Sequence, residues 1–118
     1  MTHTRPTPYE ETRPWGKFRQ FTHNDATTVK IITVSQGKKL SLQSHRQRSE
    51  YWRVLKGSVI ITIGSRQHHA RADEEFWIPV GTVHRLEGVG QHNEVLEIAF
   101  GTFDENDIIR HDDEWGRK

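Results

Sequence analysis

The stretch from Gly37 to Gly57 constrains the fold most, because polar side chains recur in it at the spacing of β-strands. It reads Gly-Lys-Lys-Leu-Ser-Leu-Gln-Ser-His-Arg-Gln-Arg-Ser-Glu-Tyr-Trp-Arg-Val-Leu-Lys-Gly. Side chains two apart on a strand share a face, so Gln43 and His45 are predicted to project together. A short polar turn follows, and Glu50 opens the next apolar run, with Trp52 and Val54 predicted on its own face. The pattern predicts two adjoining strands whose amide, imidazole and carboxylate groups converge.

A second histidine is predicted to reach the same place. The segment Pro-Val-Gly-Thr-Val-His at 79–84 is typical of a turn that ends on His84. Two nitrogens and two oxygens suit a divalent transition metal, so the predicted ligands are Gln43, His45, Glu50 and His84. Zinc is the first expectation, with manganese, cobalt, nickel and iron as alternatives. The competing interpretation is a metal-free hydrogen-bond network at the mouth of a barrel.

Short apolar or β-branched runs separated by glycine turns recur along the chain. We predict strands at 29–34, 40–45, 51–55, 58–63, 67–71, 83–86 and 94–100. Acidic residues at 104–107 are typical of the start of a short helical turn. The strand pattern predicts an all-β antiparallel barrel or jelly roll. We divide the chain into an N-terminal arm, 1–13, and a single domain, 14–118.

Composition limits the partners of such a domain. Hydrophobic residues make up only 32% of the chain and the mean hydropathy is -0.83, so the core is thin. A homodimer in which the arm adds a strand to a neighbour's sheet would increase burial, and we expect one. A net charge of +1 argues against a nucleic-acid partner. The lack of cysteines and of long apolar runs predicts a cytoplasmic protein with no membrane partner.

The spacing Gly-x5-Gln-x-His-x4-Glu-x6-Gly, followed by Pro-x-Gly-x2-His, resembles the two motifs of the cupin superfamily, with Gln43 where most cupins have histidine. Further motifs resemble the type II mannose-6-phosphate isomerase domain of that superfamily. They are Arg-Pro-Trp-Gly at 13–16, Arg-x-Glu-x-Trp at 48–52, Ile-Pro-x-Gly-x-x-His-Arg-Leu at 78–86 and Asp-Ile-Ile-Arg at 107–110. The resemblance runs from about residue 11 to residue 117. It implies a cupin-type double-stranded β-helix, a jelly-roll barrel.

In that family the domain is often the C-terminal part of a bifunctional mannose-1-phosphate guanylyltransferase–isomerase. The present sequence holds only the cupin part, so we expect a standalone domain. The resemblance implies an aldose–ketose isomerase that interconverts mannose 6-phosphate and fructose 6-phosphate through an enediol, in polysaccharide biosynthesis. Two alternatives stay open: a non-catalytic sugar-phosphate-binding cupin, and a metal cupin enzyme acting on another substrate.

Basic residues are the candidates for contacting a phosphosugar. Arg48 lies between His45 and Glu50, and its guanidinium suits phosphate or enediolate oxygens, so we predict a catalytic role. The predicted substrate-binding residues are Lys30, Arg85 and Arg110. For each of these residues the alternative is a solvated surface charge. The sequence does not identify a general base, although Glu97 on the last long strand is a candidate.

Overall fold

The computed structural model describes residues 8–112, and within that range every regular element is a β-strand. The eleven strands are β1 (Tyr9–Arg13), β2 (Gly16–Gln20), β3 (Thr27–Ser35), β4 (Leu42–Ser44), β5 (Arg48–Lys56), β6 (Ser58–Ile63), β7 (Arg66–Arg71), β8 (Glu75–Ile78), β9 (His84–Gly88), β10 (His92–Gly101) and β11 (Ile109–Asp112). In this part of the chain no helix is long and apolar enough to cross a membrane. The prediction of an all-β fold is confirmed.

Nine of these strands build two antiparallel sheets that pack face to face. One sheet has the order β3-β10-β5-β8, and the other has the order β11-β4-β9-β6-β7. Buried apolar side chains from both sheets form one core, for example Val54 and Val95 from the first and Ile61 and Leu86 from the second. Side chains in both sheets alternate between the two faces of a strand, as the sequence predicts, and one of the two faces enters the core.

The inner face of β5 changes from apolar to polar along its length. Val54 and Trp52 belong to the core, whereas Glu50 and Arg48 continue the same face toward the start of the strand, and all four are buried. Glu97 of β10 lies opposite Trp52 in the sheet register, and Lys30 of β3 lies opposite Glu97. One end of the sandwich is therefore closed by hydrocarbon, and the other end collects ionisable side chains.

Two predicted elements differ from the structure. The strand expected at 40–45 is shorter, since β4 spans only Leu42–Ser44. The helical turn expected at 104–107 is a single hydrogen-bonded turn, in which the Asp107 N–H donates to the Asp104 carbonyl at 2.9 Å. The Asp104 carboxylate accepts the N–H of Asn106 at 2.9 Å, and β11 begins two residues after the turn. Local capping of this kind competes with helix propagation, because it satisfies the same backbone donors.

The predicted N-terminal arm contains a strand. Tyr9–Arg13 pairs with Gly16–Gln20 as a separate hairpin, and this hairpin crosses the boundary that we placed after residue 13. Trp15 at its tip is 71% exposed, so it packs on no core surface within the described residues. The remainder of the arm, 1–7, lies outside the described residues, and the division at residue 13 stays a prediction.

Candidate metal centre

Three predicted ligands meet at the polar end of the sandwich. His45 follows β4, Glu50 belongs to β5, and His84 is the first residue of β9. The Nε2 atom of His45 lies 3.6 Å from Glu50 Oε2, and the Nε2 atom of His84 lies 3.3 Å from Glu50 Oε1. One ligand atom from each residue lies within 4.8 Å of the others. All three side chains are buried, so the sandwich fixes their positions.

Backbone carbonyls orient both histidine rings toward Glu50. The Nδ1 atom of His45 lies 2.7 Å from the Asp107 carbonyl oxygen, and that of His84 lies 2.9 Å from the Thr82 carbonyl oxygen. A carbonyl oxygen only accepts, so each Nδ1 carries the proton and each Nε2 presents a lone pair. Burial lowers the pKa of His45, although the Asp107 carbonyl and the Glu50 carboxylate oppose the shift. Neutral imidazole is the form that binds metals.

Glu50 supplies the negative charge. Burial favours its neutral form, but the adjacent His84 and His45 rings and the hydrogen bond that Arg48 donates to Oε2 lower the pKa of Glu50 to about 2. Its buried Oε1 atom has no hydrogen-bond partner among the described residues. A buried anionic oxygen between two imidazole lone pairs fits a divalent cation. The structure thus shows a buried histidine–glutamate–histidine cluster that could hold a metal ion.

Gln43, the fourth predicted ligand, lies beside this cluster. It is paired with His84 in the β4–β9 register, and it lines the same cavity as the other three residues. Cross-strand neighbours share a face, so the Gln43 amide is on the histidine side of the sheet. The four predicted ligands are therefore brought together. When bound there, a divalent cation would act as a Lewis acid toward oxygen atoms of a ligand.

A cavity of about 270 Å³ opens in front of the cluster. Besides the four ligands, its lining consists of Lys30, Ile32, Leu40, Arg48, Trp52 and Glu97. The volume lies near the lower bound, roughly 300 Å³, of pockets that take small molecules. The lining combines apolar walls with two cations, Lys30 and Arg48, and two carboxyl groups, Glu50 and Glu97.

Glu97 is a second buried carboxyl group in this cavity. Its Oε1 accepts a hydrogen bond from the Trp52 indole at 3.2 Å, and its Oε2 lies 3.5 Å from the Lys30 ammonium. Burial and the negative charge of Glu50 raise the pKa of Glu97 to about 7, against the opposing effects of Lys30, Trp52 and Arg48. Near neutral pH this carboxyl group can either hold or accept a proton, which Glu50 cannot do.

Arg48 is buried at the cavity wall and is not a solvated surface charge. Its Nε donates to Glu50 Oε2 at 3.1 Å, and its Nη1 donates to the Asp104 carbonyl at 3.2 Å. Its Nη2 lies 3.3 Å from His45 Nε2. A guanidinium has five N–H groups, so Arg48 retains donors for a ligand in the cavity. The sequence interpretation placed Arg48 in a turn, whereas β5 begins at this residue and turns it inward.

The other predicted substrate-binding residues lie in different surroundings. Lys30 lines the cavity, as noted above. Arg85 does not: its Nε donates to the Leu40 carbonyl at 2.9 Å and its Nη2 donates to the Asp112 carboxylate at 2.9 Å. Because Arg85 directly follows His84 on a strand, the two side chains face opposite sides. Arg110 is paired with Gln43 across β11 and β4 but is not part of the cavity lining.

Two residues that contact the site were missed by the sequence interpretation. Asp107 binds the turn that carries His45, and the Phe103 ring lies against both cations of the cavity, 4.2 Å from the Arg48 guanidinium carbon and 4.7 Å from Lys30 Nζ. Both residues are more than 50 positions away from His45 in the sequence. The run of acidic residues at 104–107 was the one available signal, and it was interpreted as a helix start.

A wider surface groove of about 520 Å³ lies between the β1–β2 hairpin and β5. Its charged groups bind each other, since Glu75 pairs with Arg19 at 2.8 Å and with Arg53 at 3.4 Å. Glu10 likewise pairs with Lys17 at 3.0 Å. The groove contains none of the predicted site residues, so the smaller cavity is the functional candidate.

The sequence profile of the family described as "Mannose-6-phosphate isomerase C-terminal" matches residues 3–113. The chain belongs to this family. Among solved structures, it resembles the capsular polysaccharide assembling protein CapF from Staphylococcus aureus, with a TM-score of 0.66 and 19% identity over 88% of this chain and 34% of CapF. The predictions of the family and of a cupin-type fold are confirmed.

Curated relatives of this family member are much longer proteins. It is 36% identical over 107 residues to the mannose-1-phosphate guanylyltransferase ManC of Salmonella typhimurium, covering 89% of this chain and 22% of ManC. It is also 36% identical over 107 residues to the xanthan biosynthesis protein XanB of Xanthomonas campestris pv. campestris, covering 89% of this chain and 23% of XanB. The relatives are thus named for sugar modification and polysaccharide synthesis, and the chain spans less than a quarter of either.

The prediction that this protein is a mannose-6-phosphate isomerase is wrong. The relatives are named for guanylyl transfer or for xanthan biosynthesis, and none of these names assigns isomerase activity to the part that this chain matches. The family description refers to a C-terminal segment and not to a complete enzyme. These findings favour the alternative interpretations, a sugar-phosphate-binding cupin or a metal cupin enzyme acting on another substrate.

Proposed function

We propose that this family member is a metal-binding cupin domain whose cavity binds a sugar phosphate. The observation that carries the proposal is the convergence of a histidine–glutamate–histidine cluster with two cations in one cavity, lined by His45, Glu50, His84, Lys30 and Arg48. One carboxylate against a divalent ion leaves about one positive charge at the centre, and both cations add to it. An anionic ligand that also carries hydroxyl groups matches this arrangement.

The metal that we propose is zinc, because a mixed nitrogen and oxygen set of four ligands is compatible with it. Manganese, cobalt, nickel and iron tolerate similar donors, so the identity rests on the metal found in the purified protein. Cytoplasmic location also stays a prediction. A direct test of the function is calorimetric titration of zinc-loaded protein with hexose phosphates, the matching free hexoses and inorganic phosphate. We expect the hexose phosphates to bind at least about tenfold more tightly than either control, since only they use both parts of the cavity.

The substitution Arg48→Lys is expected to weaken hexose-phosphate binding at least about tenfold, which corresponds to roughly 1.4 kcal/mol. Lysine keeps the charge but loses the planar fork, and it has no second arm with which to reach Asp104 and a ligand together. Calorimetry measures the change, and elemental analysis checks that zinc is retained. The matched control is Arg46→Lys at an exposed position two residues away, which is expected to bind like the parent. Parental affinity in the Arg48 variant would contradict a ligand contact.

A second candidate function is an enzyme that moves a proton on a bound sugar. Glu97 favours it, because this buried carboxyl group lines the cavity, has no hydrogen-bond partner at Oε2 among the described residues, and has a pKa near neutrality. Incubating a panel of sugar phosphates with the protein in deuterium oxide distinguishes the two functions. Deuterium incorporated at a sugar carbon supports the enzyme, whereas binding without exchange supports the non-catalytic cupin.

The predicted homodimer is retained as a proposal. β3 is an edge strand of nine residues, and its outward-facing Val29 and Ile31 are each 57% exposed. An open edge with exposed β-branched side chains is suited to pairing with a second copy. Light scattering at micromolar concentration is expected to give twice the chain mass of 13.8 kDa, and Val29→Lys/Ile31→Lys is expected to shift the protein toward monomer. Val89→Lys is the control, because Val89 is also exposed but lies outside β3. A monomeric parent would contradict the dimer.

A further inference from the structure

The segment Phe103–Asp107, which we call the mouth segment, is bound to the turn between β4 and β5. The carboxylate of Asp107 accepts the N–H of Arg46 at one oxygen and that of Gln47 at the other, both at 2.9 Å. The Asp107 carbonyl accepts the Nδ1 proton of His45 at 2.7 Å. The Asp104 carbonyl accepts from Arg48 at 3.2 Å. The mouth segment thus binds four consecutive residues, 45–48.

We propose that Asp107 is a positioning residue of the metal centre, which fixes His45 in the orientation and tautomer that direct Nε2 toward Glu50. The proposal rests on the proposed metal site and goes beyond it by assigning a role to a residue that contacts neither the metal ligand atoms nor the cavity. Its carbonyl fixes the proton on Nδ1, and its carboxylate fixes the backbone on which the ring is mounted.

The Asp107 side chain accepts two adjacent backbone donors of the segment between β4 and β5, the N–H groups of Arg46 and Gln47. A carboxylate satisfies both, and bonds to a charged acceptor are stronger than neutral ones.

The same segment contacts the ligand-binding cations. The Phe103 ring packs against Arg48 and Lys30, and cation–ring contacts of this kind hold a guanidinium or ammonium in place. A shift of the mouth segment would thus move His45 and Arg48 together. This coupling distinguishes positioning from simple stabilisation, because a residue that only stabilises the fold would leave the geometry of the bound metal unchanged.

The test uses cobalt(II) as the probe, since its visible absorption reports ligand geometry. Cobalt affinity is measured by competition with a chromophoric chelator for the parent, Asp107→Ala and Asp107→Asn. Asp107→Ala keeps the backbone carbonyl that binds His45 and removes the carboxylate that binds the next two residues. We expect it to weaken cobalt binding about 10-fold, the lower end of the range for removal of a partner of a metal ligand, and to alter the absorption spectrum. Asp107→Asn retains one side-chain acceptor, so we expect its cobalt affinity to lie between those of Asp107→Ala and the parent. Asp25→Ala is the matched control, because the exposed Asp25 carboxylate also accepts a backbone N–H, that of His23 at 3.3 Å, but Asp25 is not part of the cavity lining.

Each outcome either supports or overturns the positioning role of Asp107. A folded Asp107→Ala variant with parental affinity and spectrum overturns the proposal, and so does weaker binding with an unchanged spectrum in both variants, which would indicate stabilisation alone. If the alanine variant does not fold, the asparagine variant decides by the same criteria, with a threefold or larger loss and an altered spectrum as support. A parent protein that binds no cobalt would overturn the metal centre itself, and the first titration shows this before any variant is compared.

Discussion

Replacement of His84 by alanine is expected to lower the affinity for divalent metal at least about 100-fold, more than the loss of a residue that only supports a ligand. His84 Nε2 lies 3.3 Å from Glu50 Oε1, so its removal leaves the site with one nitrogen ligand instead of two. Chelator competition measures the affinity of the variant. Elemental analysis of the parent is expected to find about one divalent ion per chain, as one four-ligand site implies.

The matched control for this variant is His69→Ala, since His69 is an exposed histidine on β7, at the edge of the same sheet. It is expected to keep parental metal affinity. Circular dichroism checks that His84→Ala is folded, because His84 is buried and its truncation leaves a void. If His84→Ala does not fold, His84→Leu fills most of that space without offering a ligand atom and decides in its place. A folded His84 variant that retains metal as tightly as the parent would show that the ligand set is assigned incorrectly.

The parts of the site that the sequence predicted are those that depend on local periodicity. Glu50, Trp52 and Val54 were expected on one face of a strand, and the structure has all three on the inner face of β5. The alternation is a property of the extended backbone, so it needs no knowledge of distant contacts. Applied consistently, the same rule would have excluded Arg85 from the cavity, since adjacent residues on a strand point to opposite sides.

The parts that the sequence did not predict depend on contacts between distant segments. Asp107 is 62 positions from His45 in the sequence, and Phe103, which contacts Lys30, follows the end of β10. No periodicity relates these residues, because a loop between β10 and β11 brings them together only after both sheets have formed. The acidic composition of 104–107 fits a helix start as well as a turn, and only the packed structure distinguishes the two.

The function, like the fold, could be predicted from the sequence only in part. The ligand spacing and the family motifs indicate a cupin metal site and a phosphosugar ligand class, which concern residues within this chain. An activity carried by longer relatives does not transfer on those residues alone, since the matched part is less than a quarter of ManC. The cavity therefore supports binding more directly than it supports any named reaction, and Glu97 is the residue on which a catalytic interpretation depends.

Glu97→Gln is expected to stabilise the metal-free protein at pH 8 relative to the parent, by about 3 kcal/mol more than at pH 4.5. Glu97 is 4% exposed, and burial together with the charge of Glu50 raises its pKa from 4.5 to about 7. A raised carboxyl pKa means that the folded state favours the protonated form. Its contribution to stability is present below pH 4.5 and is lost as the pH rises to about 7, where the folded state must accommodate a second buried carboxylate. Glutamine carries no charge at either pH and still offers an acceptor to the Trp52 indole.

The measurement is urea unfolding of chelator-treated parent and variant at pH 4.5 and pH 8, with the free energy of unfolding extrapolated to water. Comparing the parent with the variant at both pH values removes the effects of groups that do not interact with Glu97, and leaves the effect of Glu97 together with its interaction with Glu50. Glu94→Gln, on the same strand but outside the cavity lining, is the control, and its effect is expected to differ between the two pH values by less than about 0.5 kcal/mol. If Glu97→Gln changes stability by the same amount at both pH values, Glu97 titrates in the folded protein as it does in the unfolded chain. Glu97 could then act near neutral pH only as a proton acceptor, because a carboxyl group with an ordinary pKa is already ionised at pH 7 and has no proton to donate.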